Sequence, residues 1–474
     1  MSFDFERKQR IAIIGGGPGG YEAALSAAQL GAEVTLVENT GVGGAAVLTD
    51  VVPSKTLIAT ADAAQAIDAA GDLGVQFYAK GAEDKPLKPE TAINLLAVNK
   101  RILALAGQQS EDMREQLLEA GVNVVSGHGR MKGDNAVVIS TGPDGTDFDQ
   151  IEADTIVIST GSTPRELPAA KPDGKRILTW KQVYDLPAVP EHIIVVGSGV
   201  TGAEFASAYM NLGAKVTLVS SREQVLPGED PDAAAVLEKV FTRGGMTLLA
   251  RSRAEKVENT GDGVVVTLAN GDEITGSHCL VAVGSTPNTE DIGLEEAGVQ
   301  LADTGRIMVN RVGRTSIPNV YAVGDCTNLM PLASVASMLG RTAVFHAMGD
   351  AVIPFANNKI AANIFTSPEI ATVGWTTGED AVEYKLPIAA NARAKMMSVR
   401  DGFVKLYARK GSGTVVGGVV VGPKASELIY PISIAVDRRL TVDQLARVFT
   451  TYPSLSGAIN DAARAMHGIN ERGF

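Results

Sequence analysis

"RIAIIGGGPGGYEAALSAAQLGAEVTLVE", running from Arg10 to Glu38, decides the fold. Its apolar start suits a strand buried on both faces. A glycine-rich turn follows, then an alanine-rich stretch with the composition of a helix, then "EVTLVE", a second strand that closes on an acid. Gly15, Gly17 and Gly20 fit the spacing G-x-G-x-x-G. In that pattern the first glycine permits a tight turn, the second lets a pyrophosphate approach the main chain, and the third lets helix and strand pack closely. Unpaired N–H groups at the helix start then hold the phosphates. Glu38 follows Gly20 by 18 residues, where a carboxylate can accept hydrogen bonds from ribose hydroxyls.

The pattern returns as "HIIVVGSGVTGAEFASAYMNLGAKVTLVS", which sets Gly197, Gly199 and Gly202 at an offset of 182 residues from the first three glycines. "GAEVTLVE" and "GAKVTLVS" are almost one phrase, with Ser220 in the place of Glu38. A third echo pairs "TGSTPRE" with "VGSTPNT", each after an apolar strand, and puts Gly161 and Gly284 in equivalent turns. Internal repetition of this kind predicts two dinucleotide-binding domains of α/β type. An acid at the strand end repels a 2′-phosphate, whereas Ser220 and Ser221 can hydrogen-bond one and Arg222 can neutralise it. The first repeat therefore suits FAD or NAD and the second suits NADPH, with NADH also expected to serve. Arg222 reads equally well as a solvated loop charge.

The rest of the composition narrows the class. A chain of 474 residues exceeds one core, so about two to four domains are expected. Apolar residues make up 45% and charged residues 20%, as in ordinary globular proteins. A net charge of −12 argues against nucleic acid as a partner. No apolar run approaches the roughly 18 residues that a membrane span requires. The opening "MSFDFERKQR" has no apolar signal core, and a cytoplasmic protein is expected. Cys279 and Cys326 stand 47 residues apart, fit no metal or redox spacing, and read as small core residues. No His/Cys cluster suggests a metal site.

With these motifs in order, the chain resembles the FAD-dependent pyridine nucleotide–disulfide reductases, close to the lipoamide dehydrogenases. "SIPNVYAVGDC" resembles the segment whose acid binds the ribityl chain of FAD, a role that falls on Asp325. The resemblance implies a following helix from about Ala333, with its N-terminus aimed at the flavin. Gly129, in "GHGRM", falls where the family touches the FAD adenine through main-chain groups. "FTSPEIATVGW" and "GFVKLYARKGSGTVVGGVVVGPKASELI" resemble the family's C-terminal α+β dimerisation domain, which implies a homodimer.

The resemblance breaks at "GVGGAAVLTDVVPSK", residues 41–55. The family pattern is GGxCxxxxCxPSK. Here the glycines and the Pro-Ser-Lys remain, but Ala46 and Val51 hold the cysteine positions. The family's C-terminal His-Pro-Thr and its following Glu are replaced by "YPSLSG", with Tyr452 at the His and Gly457 at the Glu. Ala and Val form no thiolate, so disulfide exchange at this place is excluded. Lys55 and Glu204 persist, and the resemblance implies that they pair beside flavin and nicotinamide. It also implies an apolar slot of Ala46, Val47 and Val51, with Tyr452 arriving from the partner subunit as a proton donor or as a packing residue.

These phrases resemble an actinobacterial type of branch of the family that lacks the disulfide and reduces quinones with NAD(P)H. The expected activity is that of an FAD-dependent NAD(P)H:quinone oxidoreductase, acting on a quinone or another small aromatic acceptor. A soluble pyridine nucleotide transhydrogenase and a flavin-bearing scaffold or sensor are the alternatives. Expected domains are residues 1–165 and 286–350 for FAD, 166–285 for NAD(P)H, and 351–474 for the interface. One long helix is expected near residues 89–121.

Overall fold

Arg10–Ile14 is a strand because four of its five residues are apolar and buried on both faces. It pairs in parallel with Glu33–Glu38 on one side, Ile13 opposite Leu36, and with Thr155–Ile158 on the other. Asn123–Ser126 and Val320–Ala322 complete a five-stranded parallel sheet, one at each edge. Between the first two strands runs the helix Pro18–Gln29, with Pro at its start where the missing N–H costs nothing.

The second repeat builds the same object. His192–Val196 lies central in a parallel sheet between Lys215–Val219 and His278–Val281, with Thr247–Leu249 and Ile177–Leu178 at the edges. Its helix, Val200–Asn211, has the same twelve residues' length as the first. Each repeat also carries a three-stranded antiparallel flap, at His128–Met131, Ala136–Thr141 and Asp147–Glu152, and at Ala254–Asn259, Val264–Leu268 and Glu273–Gly276.

The computed structural model describes residues 7–79, 86–87, 91–141, 147–375 and 380–471. These fall into two compact units. One comprises Met1–Ser54, Lys100–Arg165 and Ser285–Ala356; the other comprises Lys55–Asn99, Glu166–Gly284 and Asn357–Phe474. The second unit thus holds both the second nucleotide sheet and an α+β domain. That domain is a five-stranded antiparallel sheet in the order Ala361–Ile364, Glu369–Gly374, Val415–Gly422, Phe403–Arg409, Ala381–Pro387. The helices Ala425–Asp437 and Gly457–Glu471 cover it, and Val404, Leu406, Val420, Ile432 and Ala462 form its core.

One sequence expectation needs adjustment. The long helix starts at Leu95 and ends at Glu119; Asn94 Oδ1 accepts from Ala97 N at 3.1 Å and caps its start. Residues 88–90, where that expectation began, and the opening residues 1–6 lie outside the described residues. Among the described residues no helix is long and apolar enough to cross a membrane.

Candidate functional site

Steric limits give four of the six fingerprint glycines their reason. Gly15 has φ +97°, and a Cβ on it would stand 2.3 Å from Ser159 O. A Cβ on Gly20 would stand 2.0 Å from Gly15 O, so helix and turn could not close with any other residue. Gly197 and Gly202 repeat this, at 2.2 Å from Ala282 O and 1.8 Å from Gly197 O. Gly17 and Gly199 differ: nothing lies within 4 Å of the Cβ each lacks. They also cap their helices with no side-chain hydrogen bond, so the first N–H donors of both helices remain open. Open space before uncapped donors fits a pyrophosphate in both repeats.

The strand ends differ as the sequence suggests. Glu38 is buried, its Oε2 accepting from Gly16 N at 2.6 Å and its Oε1 from Thr40 N at 2.7 Å and Thr40 Oγ1 at 2.8 Å. This fixes a carboxylate beside the turn. Ser220 is also buried, and its hydroxyl is 2.7 Å from Ser198 Oγ and accepts from Arg222 N at 3.1 Å. Two small hydroxyls fill the volume of one carboxylate. Ser220 is thereby committed to its own turn, and Ser221 and Arg222 are the members of the expected set exposed at the rim.

Around the first turn, Gly129 packs against Ile14, where a Cβ would approach to 3.0 Å. Gly161 and Gly284 take φ +70° and +99° with open space before them. Asp325 Oδ2 accepts from Ser162 Oγ at 3.2 Å, and burial raises its pKa. Arg306 Nη1 donates to Asp325 O at 2.5 Å and holds that loop; Arg306 lies in no motif that would single it out. Ala333 opens the helix Ala333–Ala347, which Leu332 leaves without a side-chain cap.

The segment 41–51 is pinned to the first turn, with Gly43 N donating to Gly16 O at 2.7 Å. Two helices follow, Gly44–Leu48 and Val51–Asp68. Ala46 and Val51 are both partly exposed, and Val47 is buried. Cys279 and Cys326 are free and fully buried, and burial pushes the Cys279 thiol up to about 12.

In the other unit Lys55 Nζ lies 2.8 Å from Glu204 Oε2. Glu204 is 4% exposed, and its second oxygen accepts from Phe365 N at 2.8 Å. The Lys55 ammonium also sits 5.0 Å from the centre of the Phe365 ring. Phe365 escaped sequence reading because its contribution is a main-chain N–H. Tyr452 is 84% exposed, and nearby Phe449 is wholly so. Ser454 anchors the loop below them, its O accepting from Asn391 Nδ2 at 3.0 Å and its Oγ from Gly457 N at 3.2 Å.

Residues 9–340 match the model of the pyridine nucleotide-disulphide oxidoreductases, and residues 360–463 match the dimerisation domain of the same family. The chain belongs to this family. The pyridine nucleotide-disulphide oxidoreductases use FAD and NAD(P)H, and both dinucleotide turns described above fit such groups. The family's dimerisation domain supports a homodimer. Among its relatives, an NAD(P)H dehydrogenase (quinone) of Mycobacterium tuberculosis is 48% identical, over 96% of this chain and 94% of that protein. A dihydrolipoyl dehydrogenase of Geobacillus stearothermophilus is 32% identical, over 98% and 97%. The crystal structure of LpdA from Mycobacterium tuberculosis superposes with a TM-score of 0.90 at 47% identity, covering 97% of this chain and 99% of that one. Where the disulphide pattern GGxCxxxxCxPSK places cysteines, this chain holds Ala46 and Val51.

Proposed function

We propose that the protein is an FAD-dependent NAD(P)H:quinone oxidoreductase that works without a disulfide relay, as a cytoplasmic homodimer. The observation that carries this is the pair Ala46 and Val51, side chains that neither ionise nor carry electrons, in a chain that keeps both dinucleotide turns. The relative named NAD(P)H dehydrogenase (quinone) supports the same activity. Glu38 and Asp325 would hold FAD, which would supply a carrier between the hydride of NAD(P)H and the acceptor.

The chain's own residues do the rest. Glu38 orients the FAD ribose and Asp325 the ribityl chain. Lys55 supplies a fixed cation that favours the electron-rich flavin, and Glu204 keeps that cation in place. Ala46 and Val51, both partly exposed, offer apolar surface suited to a flat aromatic ring, while Val47 is buried against Gly43. Tyr452, brought by the second copy of the chain, donates a proton to the quinone oxygen. On this reading residues 1–165 and 286–350 bind FAD, 166–285 bind NADPH and also NADH, and 351–474 form the interface.

The test is NADPH oxidation by the FAD-loaded protein with menadione, run beside lipoamide. Turnover of menadione alone is expected; turnover of lipoamide would overturn the reading. Tyr452→Phe is expected to slow menadione reduction at unchanged NADPH affinity, and a wild-type rate would remove the proton role.

A further inference from the structure

The two repeats differ at a residue that neither glycine motif contains. The main-chain bond from Gly127 N to Glu38 O, 3.0 Å, has its counterpart in Ser252 N to Ser220 O, 2.7 Å. Arg251 therefore stands where the first repeat has Ser126, as Arg222 stands where it has Thr40 and Glu223 where it has Gly41. Between the repeats the strand-end region loses the buried carboxylate of Glu38 and gains two exposed guanidiniums, Arg222 and Arg251, together with the exposed carboxylate of Glu223. Parallel pairing of Val219 with Leu249 brings the two loops together, and Arg251 N donates to Arg222 O at 2.8 Å. Both arginines are exposed. The guanidinium of Arg222 has no ion-pair partner among the described residues. That of Arg251 is paired with Glu223. Arg251 also holds φ +54°, a left-handed conformation costly to a residue with a Cβ.

We propose that Arg251 is a second cation for the 2′-phosphate of NADPH, beside Ser221 and Arg222, and that Glu223 competes with that phosphate for it. With NADH, Glu223 keeps the Arg251 charge satisfied, so the site accepts a nucleotide without the phosphate. With NADPH, the phosphate replaces the carboxylate, and the net gain is smaller by the ion pair given up. Nucleotide preference is thus set by an exchange of anions on one guanidinium, at a strand end where Ser220 carries no charge to repel the phosphate.

This rests on residues 197–222 forming the pyridine nucleotide site, and it is independent of the acceptor. The experiment is calorimetric titration of the FAD-loaded protein, without quinone, using adenosine 2′,5′-bisphosphate and 5′-AMP. Arg251→Asn is the chosen variant because Asn tolerates the left-handed conformation. It is expected to weaken the bisphosphate by about tenfold, the scale of a charge-assisted hydrogen bond, and to leave 5′-AMP unchanged. Glu223→Gln is expected to tighten the bisphosphate by about three- to fivefold, as befits an exposed ion pair, and to do nothing in the Arg251→Asn background. Equal effects on both ligands, or no effect of Arg251→Asn on the bisphosphate, would overturn the proposal. So would a wild-type protein that binds the two alike. Failure to reduce menadione would sink the quinone reading and leave this result untouched.

Discussion

The Lys55–Glu204 pair shows what one residue must satisfy. Glu204 is nearly sealed from water and spends both oxygens, one on Lys55 and one on Phe365 N. Removing the lysine would strand a buried carboxylate. Lys55→Met is therefore expected to lower the stability of folding toward the low end of about 3–5 kcal/mol, since 27% of the lysine side chain remains in water. Glu204→Gln keeps an acceptor for Phe365 N and is expected to fold nearly as well while reducing flavin by NADPH more slowly. Urea denaturation and anaerobic stopped-flow separate the two effects. A second prediction concerns the hydroxyl pair. Ser198→Gly with Ser220→Glu rebuilds the Gly16–Glu38 arrangement in the second repeat and should lower kcat/KM for NADPH more than for NADH. Sequence reading could see the serine swap but not its partner Ser198. Arg306, Phe365 and Asn391 were equally hidden, because they act through main-chain bonds that only folding brings together.

At the scale of elements, legibility followed periodicity and local punctuation. Both strand–turn–helix units could be read because glycine spacing is a steric requirement that leaves its mark in the chain. The long helix was placed but started too early, because Asn94, which caps it, lies among polar residues that offer rival starts. Its end is marked in the structure by Gly121, which takes φ +83°. The junctions between elements carry the pH dependence. Asp173, just before the edge strand Ile177–Leu178, accepts from Lys175 N, Arg176 N and Ile177 N, and from Asn259 Nδ2. Burial works against it, but those donors prevail and hold its pKa down to about 2. A carboxyl below its unfolded value, near about 4, adds stability that is complete above that pH and disappears as pH falls through about 2. Asp173→Asn should therefore be less stable than wild type at pH 6, with the difference narrowing below about pH 4 in denaturant titrations. A second junction, Lys405 with Asp230 and Asp232, ties the strand Phe403–Arg409 to the start of the helix Pro231–Arg243. Burial lowers the lysine pKa, and the two carboxylates outweigh it and raise it. No spacing in the sequence announces this pair, separated by 175 residues.

At the scale of the whole molecule, duplication explains why one sheet plan appears twice, and the family's dimerisation domain explains what is left uncovered. Val448, Phe449 and Tyr452 project from the loop between the helices Val442–Ala446 and Gly457–Glu471, all strongly exposed in the single chain. Phe449→Asp is expected to shift the protein from dimer to monomer in sedimentation experiments and to take menadione reduction with it. A monomer with full activity would mean that Tyr452 is not needed from across the interface. The two cysteines, each locked inside a core, bear on where such an enzyme can work. Peroxide and electrophiles disable redox enzymes by capturing an accessible thiolate. This chain presents none, so it is expected to go on drawing down NAD(P)H during oxidative stress.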